Sequence, residues 1–250
     1  MAEDLARQKA TARRFGFQWR MRRKKMFELN TLYGNSKEKE ISYFLDFFAI
    51  DSKDYLQDKW VLDAGCGSAL TAGAVSNLGG QVVAVDISNP VWPRGGYKKY
   101  PNLHLVQADI LNLPFVKDLF DFVWCRGVLQ YTSDSEKAIA NLANSTKPRG
   151  KLYIWATDYV PHVHIRRLFN TTRIPCFLLY ILSYLLATIK VIRNGSGSIR
   201  FYAFHYFDSM AYEQSCLCKD MIVGLYKKNR FEILAYPELD GLLGVLGRKR

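Results

Sequence analysis

The feature that most constrains the fold is a strand that runs directly into a glycine loop, at residues 61–72 (VLDAGCGSALTA). Apolar residues lead to Asp63, Gly65 and Gly67 follow two positions apart, and a helical pattern begins after them. Such a strand–turn–helix unit is typical of parallel α/β sheets that bind a ligand at the helix N-terminus. A pyrophosphate-binding loop has a third glycine where this chain has Leu70, so the sequence predicts a loop for a different ligand.

The chain repeats this strand–helix alternation after the glycine loop. Apolar runs of the kind found in sheets covered on both faces predict strands at 59–63, 81–86, 103–109, 120–127 and 150–156. Helices are predicted at 69–78, 134–146 and 210–228, and two further strands at 230–236 and 244–249. This order predicts an α/β fold with a doubly wound parallel sheet.

Composition divides the chain into four segments. They are a basic N-terminal helical arm (1–50), a core (51–159), an apolar and basic helical insertion (160–198) and a C-terminal completion of the core (199–250). The net charge of +12 resides in two places, because residues 1–25 carry nine Lys or Arg against two acids and residues 160–193 carry five against none. Two basic segments on a neutral body indicate an anionic partner.

The five cysteines form neither a disulfide framework nor a zinc-binding pattern. The first residues contain no apolar run of the kind that marks a secretory signal. We therefore expect reduced thiols, no metal site and a cytoplasmic protein.

Three acidic residues near the ends of successive strands define the chemistry of the ligand. Asp86 lies 21 residues after Gly65, where a carboxylate accepts hydrogen bonds from a ribose diol. Asp63 precedes the glycines, where a carboxylate repels a pyrophosphate but suits a cationic group. Asp109 and the apolar Ile110 suit the amino group and the ring of an adenine. Together these residues predict S-adenosylmethionine, an adenosyl ligand with a positively charged end.

Five motifs over residues 58–157 resemble, in order, those of class I S-adenosylmethionine-dependent methyltransferases: VLDAGCGSA, VVAVDIS, LVQADILNLPF, FDFVWCRGVLQYTSDSEKAI and GKLYIWA. FGFQW near the start is similar to the arm of some bacterial small-molecule members. The resemblance implies a Rossmann-like, seven-stranded sheet, mostly parallel with an antiparallel last strand, and a helical insertion after strand five. It also implies the cofactor-binding residues Asp63, Gly65, Cys66, Gly67, Asp86, Ile87, Asp109, Ile110, Arg126 and Gly127.

Methyl transfer from a sulfonium requires mainly positioning and exclusion of water, and a general base helps only when the acceptor is a weak acid. The chain departs from many relatives in having Ala69 in place of a glycine and Gln130–Tyr131 in place of two histidines. The catalytic candidates are Tyr131, His162 and His205, and His164 and Tyr206 are also expected on the substrate side.

The insertion contains an apolar run whose segment 175–193, at about 1.5 Å per residue, approaches the thickness of a bilayer core. A membrane span is disfavoured, because it would separate the last strands from the sheet that they complete. Two alternatives remain. The segment is either a lid over the acceptor site or a helix on a membrane surface, which would give a peripheral membrane contact through residues 166–193.

The sequence thus predicts a methyltransferase that acts on a small-molecule or lipid-linked acceptor by in-line transfer and yields S-adenosylhomocysteine. An anionic group on the acceptor would match the two basic segments. Two alternatives stay open, an RNA methyltransferase and a non-enzymatic binding module of the same fold. A nucleic-acid partner is disfavoured, because the sequence lacks an Asn/Asp-Pro-Pro-aromatic base-methylation motif and paired catalytic cysteines. The oligomeric state is not predicted.

Overall fold

The computed structural model of the chain describes residues 2–29, 37–89, 100, 102–156, 174–212, 216–239 and 242–250. The strands in chain order are β1 (Trp60–Ala64), β2 (Gln81–Asp86), β3 (Leu103–Gln107), β4 (Phe120–Arg126), β5 (Thr146–Trp155), β6 (Phe231–Ala235), β7 (Glu238–Leu239) and β8 (Leu242–Lys249). The helices are α1 (Ala2–Leu29), α2 (Lys37–Phe47), α3 (Leu70–Ser76), α4 (Ser135–Ser145), α5 (Cys176–Asn194), α6 (Ile199–Ala211) and α7 (Lys219–Lys228).

The strands form one mixed sheet in the order β3-β2-β1-β4-β5-β8-β6, and the short β7 pairs with β8 beside this path. β1 to β5 are parallel to one another, whereas β8 runs antiparallel to both β5 and β6. The predicted Rossmann-like fold, with its antiparallel last strand, is confirmed. The strand order reverses direction between β1 and β4, and ligands of such sheets bind at the carboxyl ends of the strands beside this point.

Helices cover both faces of the sheet, which explains why the strands are apolar on both sides. On one face, α4 and α7 pack on residues such as Leu62, Val123 and Ile154. On the other face, α2 and α3 pack on Val61 and Trp124 among others. Neighbouring residues of one strand, such as Val61 and Leu62, enter different cores because side chains alternate across a strand.

A third group of helices lies over the carboxyl edge of the sheet. The helices α1, α5 and α6, here called the capping layer, share an apolar cluster with Tyr131, which follows β4. Helix α6 begins the segment assigned to the C-terminal completion of the core, yet the cluster places it on the insertion helix α5. The predicted boundary between the core and the insertion, at residues 159 and 160, lies outside the described residues.

The predicted helix over residues 210–228 is wrong. The structure has two helices, α6 and α7, on either side of residues 212–218. Tyr212 leaves the helix in an extended conformation, and its buried hydroxyl donates to Gln18 Oε1 at 2.9 Å. A contact with a residue 194 positions away therefore ends α6, and no local pattern reports such a contact.

One described helix, α5, is long and apolar enough to cross a membrane by length and composition. It lies between β5 and β8 in the chain, and these two strands are paired from Lys151↔Arg248 to Trp155↔Gly244. A single crossing would place the two partners on opposite sides of the membrane. The strand pairing therefore excludes a membrane span through α5.

Candidate functional site

The glycine loop, residues 65–69, joins β1 to α3 in a conformation that disfavours side chains. Gly65, Gly67 and Ala69 all have left-handed φ angles, of 79°, 52° and 52°. The amides of Gly65 and Cys66 both donate to Val85 O, at 2.7 and 2.8 Å, which fixes the loop on β2. A Cβ added at Gly65 would lie 2.2 Å from Val128 Cγ2, so the close approach of the chain after β4 requires glycine.

Asp86, the last residue of β2, connects the loop to the next turn. Its Oδ2 accepts from Gly67 N at 2.8 Å, and its Oδ1 accepts from Ser88 N at 2.8 Å and from Ser88 Oγ at 2.6 Å. Burial raises the pKa of the carboxyl, while the donors from Ser88 and Gly67 oppose that shift. Two carboxylate oxygens offer about four acceptor positions, and three donors occupy them here. Asp86 can therefore accept one hydrogen bond from a ligand hydroxyl, and a second if Ser88 Oγ turns away.

The thiol of Cys66 lies in a negative environment at the same place. Burial raises its pKa well above the usual value, and the nearby carboxylates of Asp86 and Asp63 raise it further. Burial and Asp63 likewise raise the pKa of Cys125 in β4. Both thiols are therefore protonated at neutral pH and are poor nucleophiles. None of the five cysteines, all of which are described, forms a disulfide.

The third strand brings Asp109 to the same edge. Asp109 Oδ1 accepts from Leu111 N at 2.9 Å and caps the short 3₁₀ turn of residues 110–112. This turn buries Ile110, while Asp109 itself stays partly exposed. Ile87 follows Asp86 directly, and its carbonyl accepts from Gln107 Nε2 at 3.1 Å, which ties the ends of β2 and β3 together.

The end of β4 contributes Arg126 and Gly127. The Arg126 guanidinium lies over the Trp124 ring at 5.4 Å. Gly127 has a φ of 69° and donates its amide to Trp155 O at 2.8 Å, at the end of β5. The ten residues that the resemblance implies for the cofactor thus belong to four neighbouring strand ends on one edge of the sheet.

The arm helix α1 lies across the glycine loop. A Cβ added at Gly67 would lie 2.4 Å from Trp19 Cζ2, which shows that the indole rests on the loop itself. Gly16 lies one turn earlier, and a Cβ added there would lie 3.7 Å from Ser88 Cβ. Helix α1 therefore covers both turns that Asp86 connects.

Within the capping layer, polar contacts between buried residues hold the arm helix α1 on α6. Gln18 Nε2 donates to Asp208 Oδ1 at 2.5 Å, and Arg14 Nη1 donates to Ala211 O, both on α6. Phe15 stacks on Tyr212 with ring centroids 4.0 Å apart. Since buried hydrogen bonds to charged groups are costly to break, the arm and α6 are expected to move together.

The catalytic candidates occupy different places. Tyr131 lies in the capping cluster, with its ring edge-on to Phe15 at 5.2 Å and to Tyr212 at 5.3 Å. The ring of His205 lies against Phe201 and Phe204 of its own helix, at 4.4 and 5.6 Å. His162 and His164 lie outside the described residues. Tyr131 thus lies next to the arm that covers the glycine loop, whereas the His205 ring packs on phenylalanines of its own helix, α6.

Sequence reasoning missed Trp19, Gln18 and Asp208. Trp19 ends the FGFQW motif, one helical turn after Gly16, so this aromatic motif was a usable signal. Gln18 lies in the same motif, whereas Asp208 is a polar residue in a helical segment that nothing in the sequence distinguishes from a surface residue. Within the described residues, no group of three or more His, Cys, Asp or Glu side chains could hold a metal ion.

Residues 62–154 match the family model described as a methyltransferase domain. The chain is 32% identical over 107 residues to a ubiquinone biosynthesis O-methyltransferase of Coxiella burnetii, covering 42% of this chain and 46% of that protein. It is 29% identical over 149 residues to a demethylmenaquinone methyltransferase of Renibacterium salmoninarum, covering 60% and 57%. The chain thus spans about half of the length of the curated relatives that it matches.

Among solved structures, the fold is similar to magnesium protoporphyrin IX methyltransferase of Synechocystis PCC 6803, which was crystallised with S-adenosylhomocysteine. The TM-score is 0.54 at 14% identity, over 86% of this chain and 83% of that one. The family model, the strand order and the glycine loop agree with the motifs quoted above. Residues 62–154 therefore match a methyltransferase domain, and they lie in the doubly wound sheet that the motifs predict.

Proposed function

We propose that this protein is an S-adenosylmethionine-dependent methyltransferase that acts on a small-molecule or lipid-like acceptor and releases S-adenosylhomocysteine. One observation carries the proposal. The glycine loop is held against Asp86 through Gly67 N, at 2.8 Å, beneath the Trp19 indole. This arrangement combines a loop with glycine at positions 65 and 67, a buried carboxylate and an aromatic cover, which together suit an adenosyl ligand with a cationic end.

The residues at the strand ends fit this cofactor. Gly65 and Gly67 allow Val128 and the Trp19 indole to pack directly on the loop backbone. Asp63, at the end of β1, is the negative group beside the loop that would attract the cationic methionine part. Asp86 would accept from the ribose hydroxyls in the place of Ser88 Oγ, whose contact it now holds at 2.6 Å. Asp109 and the buried Ile110 would contact the adenine, with Ile87 on its other side. When bound, the cofactor supplies a methyl group on a positively charged sulfur.

The chain's own contribution to transfer is positioning and the exclusion of water. The capping layer covers the strand ends with aromatic side chains, among them Phe15, Tyr131 and Tyr212. Burial raises the pKa of Tyr212 well above its usual value, so its phenol stays neutral and serves as a donor to Gln18. Among the described candidates, Tyr131 lies beside the arm that covers the glycine loop, and its phenol would orient an acceptor hydroxyl through a hydrogen bond.

The aromatic lining of the capping layer supports an apolar acceptor. One of the two curated relatives is named for ubiquinone biosynthesis and the other for demethylmenaquinone, so both names point to quinone chemistry. We propose the same general class here, without assigning the ring or the atom that is methylated. An anionic group on the acceptor and a cytoplasmic location belong to the proposal as well, and both rest on the sequence, on its basic segments and its cysteines.

Calorimetry and methyl incorporation test the proposal together. Purified full-length protein should bind S-adenosylhomocysteine in an isothermal titration, and it should transfer labelled methyl groups to an organic extract of lipids and quinone precursors. Binding without transfer to any extract would favour the non-enzymatic alternative. Transfer to RNA rather than to the extract would favour an RNA methyltransferase, and absence of binding would overturn the proposal.

The Trp19 indole is expected to protect the glycine loop from solvent. In Trp19→Ala, amide hydrogen exchange in peptides that span residues 61–72 should increase about 10- to 150-fold, since losing the contact of a large aromatic side chain costs on the order of 1.5–3 kcal/mol. Met21→Ala is the matched control, because Met21 is exposed on the same helix. Equal exchange in both variants would show that α1 does not protect the loop.

A further inference from the structure

The outer face of α5 carries an exposed apolar stripe that runs along the whole helix. The members of the stripe are 46–75% exposed and recur at helical spacing: Phe177, Leu178, Ile181, Leu185, Ile189 and Ile192. The opposite face is fully buried at Leu179, Ser183 and Ala187, where α5 packs on α6. Single exposed apolar residues are normal on protein surfaces, but a continuous stripe of six large ones marks an interaction surface.

Basic residues border one end of this stripe. Between residues 174 and 207 the chain carries Lys190, Arg193 and Arg200 and neither Asp nor Glu. The Lys190 ammonium lies over the Tyr202 ring at 4.5 Å, which places the start of α6 beside the last turn of α5. Ile199 and Phe201, at that start, are exposed as well. The surface is thus apolar along its length and positively charged where it ends.

We infer that this stripe, bordered by Lys190, Arg193 and Arg200, docks the protein on an anionic lipid bilayer, with α5 lying in the plane of the membrane interface. An apolar helix face with cationic residues beside it is the composition of helices that bind in this way. Anionic headgroups attract such cations, whereas a second copy of this chain would present the same positive surface without an acid to pair with it.

The docking surface itself rests on the geometry of α5 and α6 alone. Its consequence for catalysis rests on the proposed function, because α5 and α6 belong to the capping layer that covers the strand ends. Docking through α5 would hold that layer against the bilayer, where an apolar acceptor of the quinone type dissolves. The acceptor class is thereby narrowed to lipids that reside in the membrane.

Vesicle co-sedimentation of the full-length chain tests the inference. We expect the protein to sediment with vesicles of phosphatidylglycerol and phosphatidylcholine, and less with phosphatidylcholine alone. Leu185→Glu/Ile189→Glu should weaken binding by about 100-fold, since each change removes a large apolar side chain from the contact. Val116→Glu is the matched control, because Val116 is 71% exposed and lies between β3 and β4 of the core, outside the helix that carries the stripe.

A second pair of variants tests the charges. Arg193→Glu/Arg200→Glu should weaken binding to the anionic vesicles by at least about fivefold per position, and added salt should reduce this difference. Lys117→Glu/Lys227→Glu is the control, with two exposed lysines of the core. Circular dichroism of each variant shows that it is folded, and calorimetry with S-adenosylhomocysteine on the same preparations tests the proposed function separately.

Three results would overturn the inference. In the first, the wild-type protein stays in the supernatant with both kinds of vesicle. In the second, the Leu185→Glu/Ile189→Glu variant sediments to the same extent as the wild type. In the third, the wild type would self-associate in solution without binding vesicles and that variant would stay monomeric, which would assign the stripe to a second copy of the chain.

Discussion

Replacing Asp86 by asparagine is expected to weaken S-adenosylhomocysteine binding about 10- to 100-fold, the effect of losing one or two hydrogen bonds to a charged group. Asp86 accepts from Gly67 N and from Ser88, and both oxygens of its carboxylate are engaged. An asparagine would direct an N–H group at one of these donors. The variant therefore loses an acceptor for the ribose and also loosens the glycine loop, and isothermal titration measures the result.

Asp121→Asn is the matched control for this change. Asp121 Oδ2 also accepts a backbone amide, from Trp60 N at 2.9 Å, and it binds Lys147. It lies at the start of β4, at the opposite end of the strands from the proposed cofactor site. The control should reduce the free energy of unfolding without changing affinity for the cofactor. Unchanged affinity in Asp86→Asn would remove Asp86 from the cofactor site.

The same carboxylate predicts a pH dependence of cofactor binding. Burial raises the pKa of Asp86, and only the ionised form can accept from all of its donors and a ribose hydroxyl together. Affinity should therefore fall as pH decreases through that raised pKa, beginning at a higher pH than an exposed aspartate would give. The neighbouring Cys66 thiol stays protonated throughout, because its own pKa is raised. Titrations from neutral to mildly acidic pH measure the fall.

The part of the candidate site that surrounds the glycine loop was predictable because it is local in sequence. Each strand of a doubly wound sheet ends at the same edge, so residues that follow successive strands meet without any knowledge of long-range packing. Asp63, Gly65, Asp86 and Asp109 are found in this way, and the structure places all of them at that edge.

The capping layer was not predictable in the same way, because it depends on contacts between distant segments. Gln18 and Asp208 bind each other across 190 residues, and Tyr212 ends a helix that local pattern would continue. The outer face of α5 shows a related limit. The apolar run between residues 175 and 193 indicates a helix, but its sequence does not decide which side packs on α6 and which stays exposed.

Gly65→Ala is expected to reduce the free energy of unfolding by about 3 kcal/mol or more, through two separate costs. A residue with a side chain in the left-handed region costs on the order of 1–2 kcal/mol, and φ at Gly65 is 79°. In addition, the new Cβ would lie 2.2 Å from Val128 Cγ2, which forces the chain after β4 away from the loop at a cost of about 1–3 kcal/mol. Urea unfolding measures the loss.

Two further variants separate these costs. Gly80→Ala is the control, because Gly80 has no left-handed φ and the nearest atom to its added Cβ is Leu56 O at 3.5 Å, so we expect a loss below about 1 kcal/mol. The double variant Gly65→Ala/Val128→Ala removes the steric overlap but keeps the backbone strain. Its loss in the free energy of unfolding should therefore be about 1–2 kcal/mol smaller than the sum of the losses in the two single variants. Additive losses would mean that Val128 does not press on the loop, and the close contact between the chain after β4 and the glycine loop would then be absent in solution.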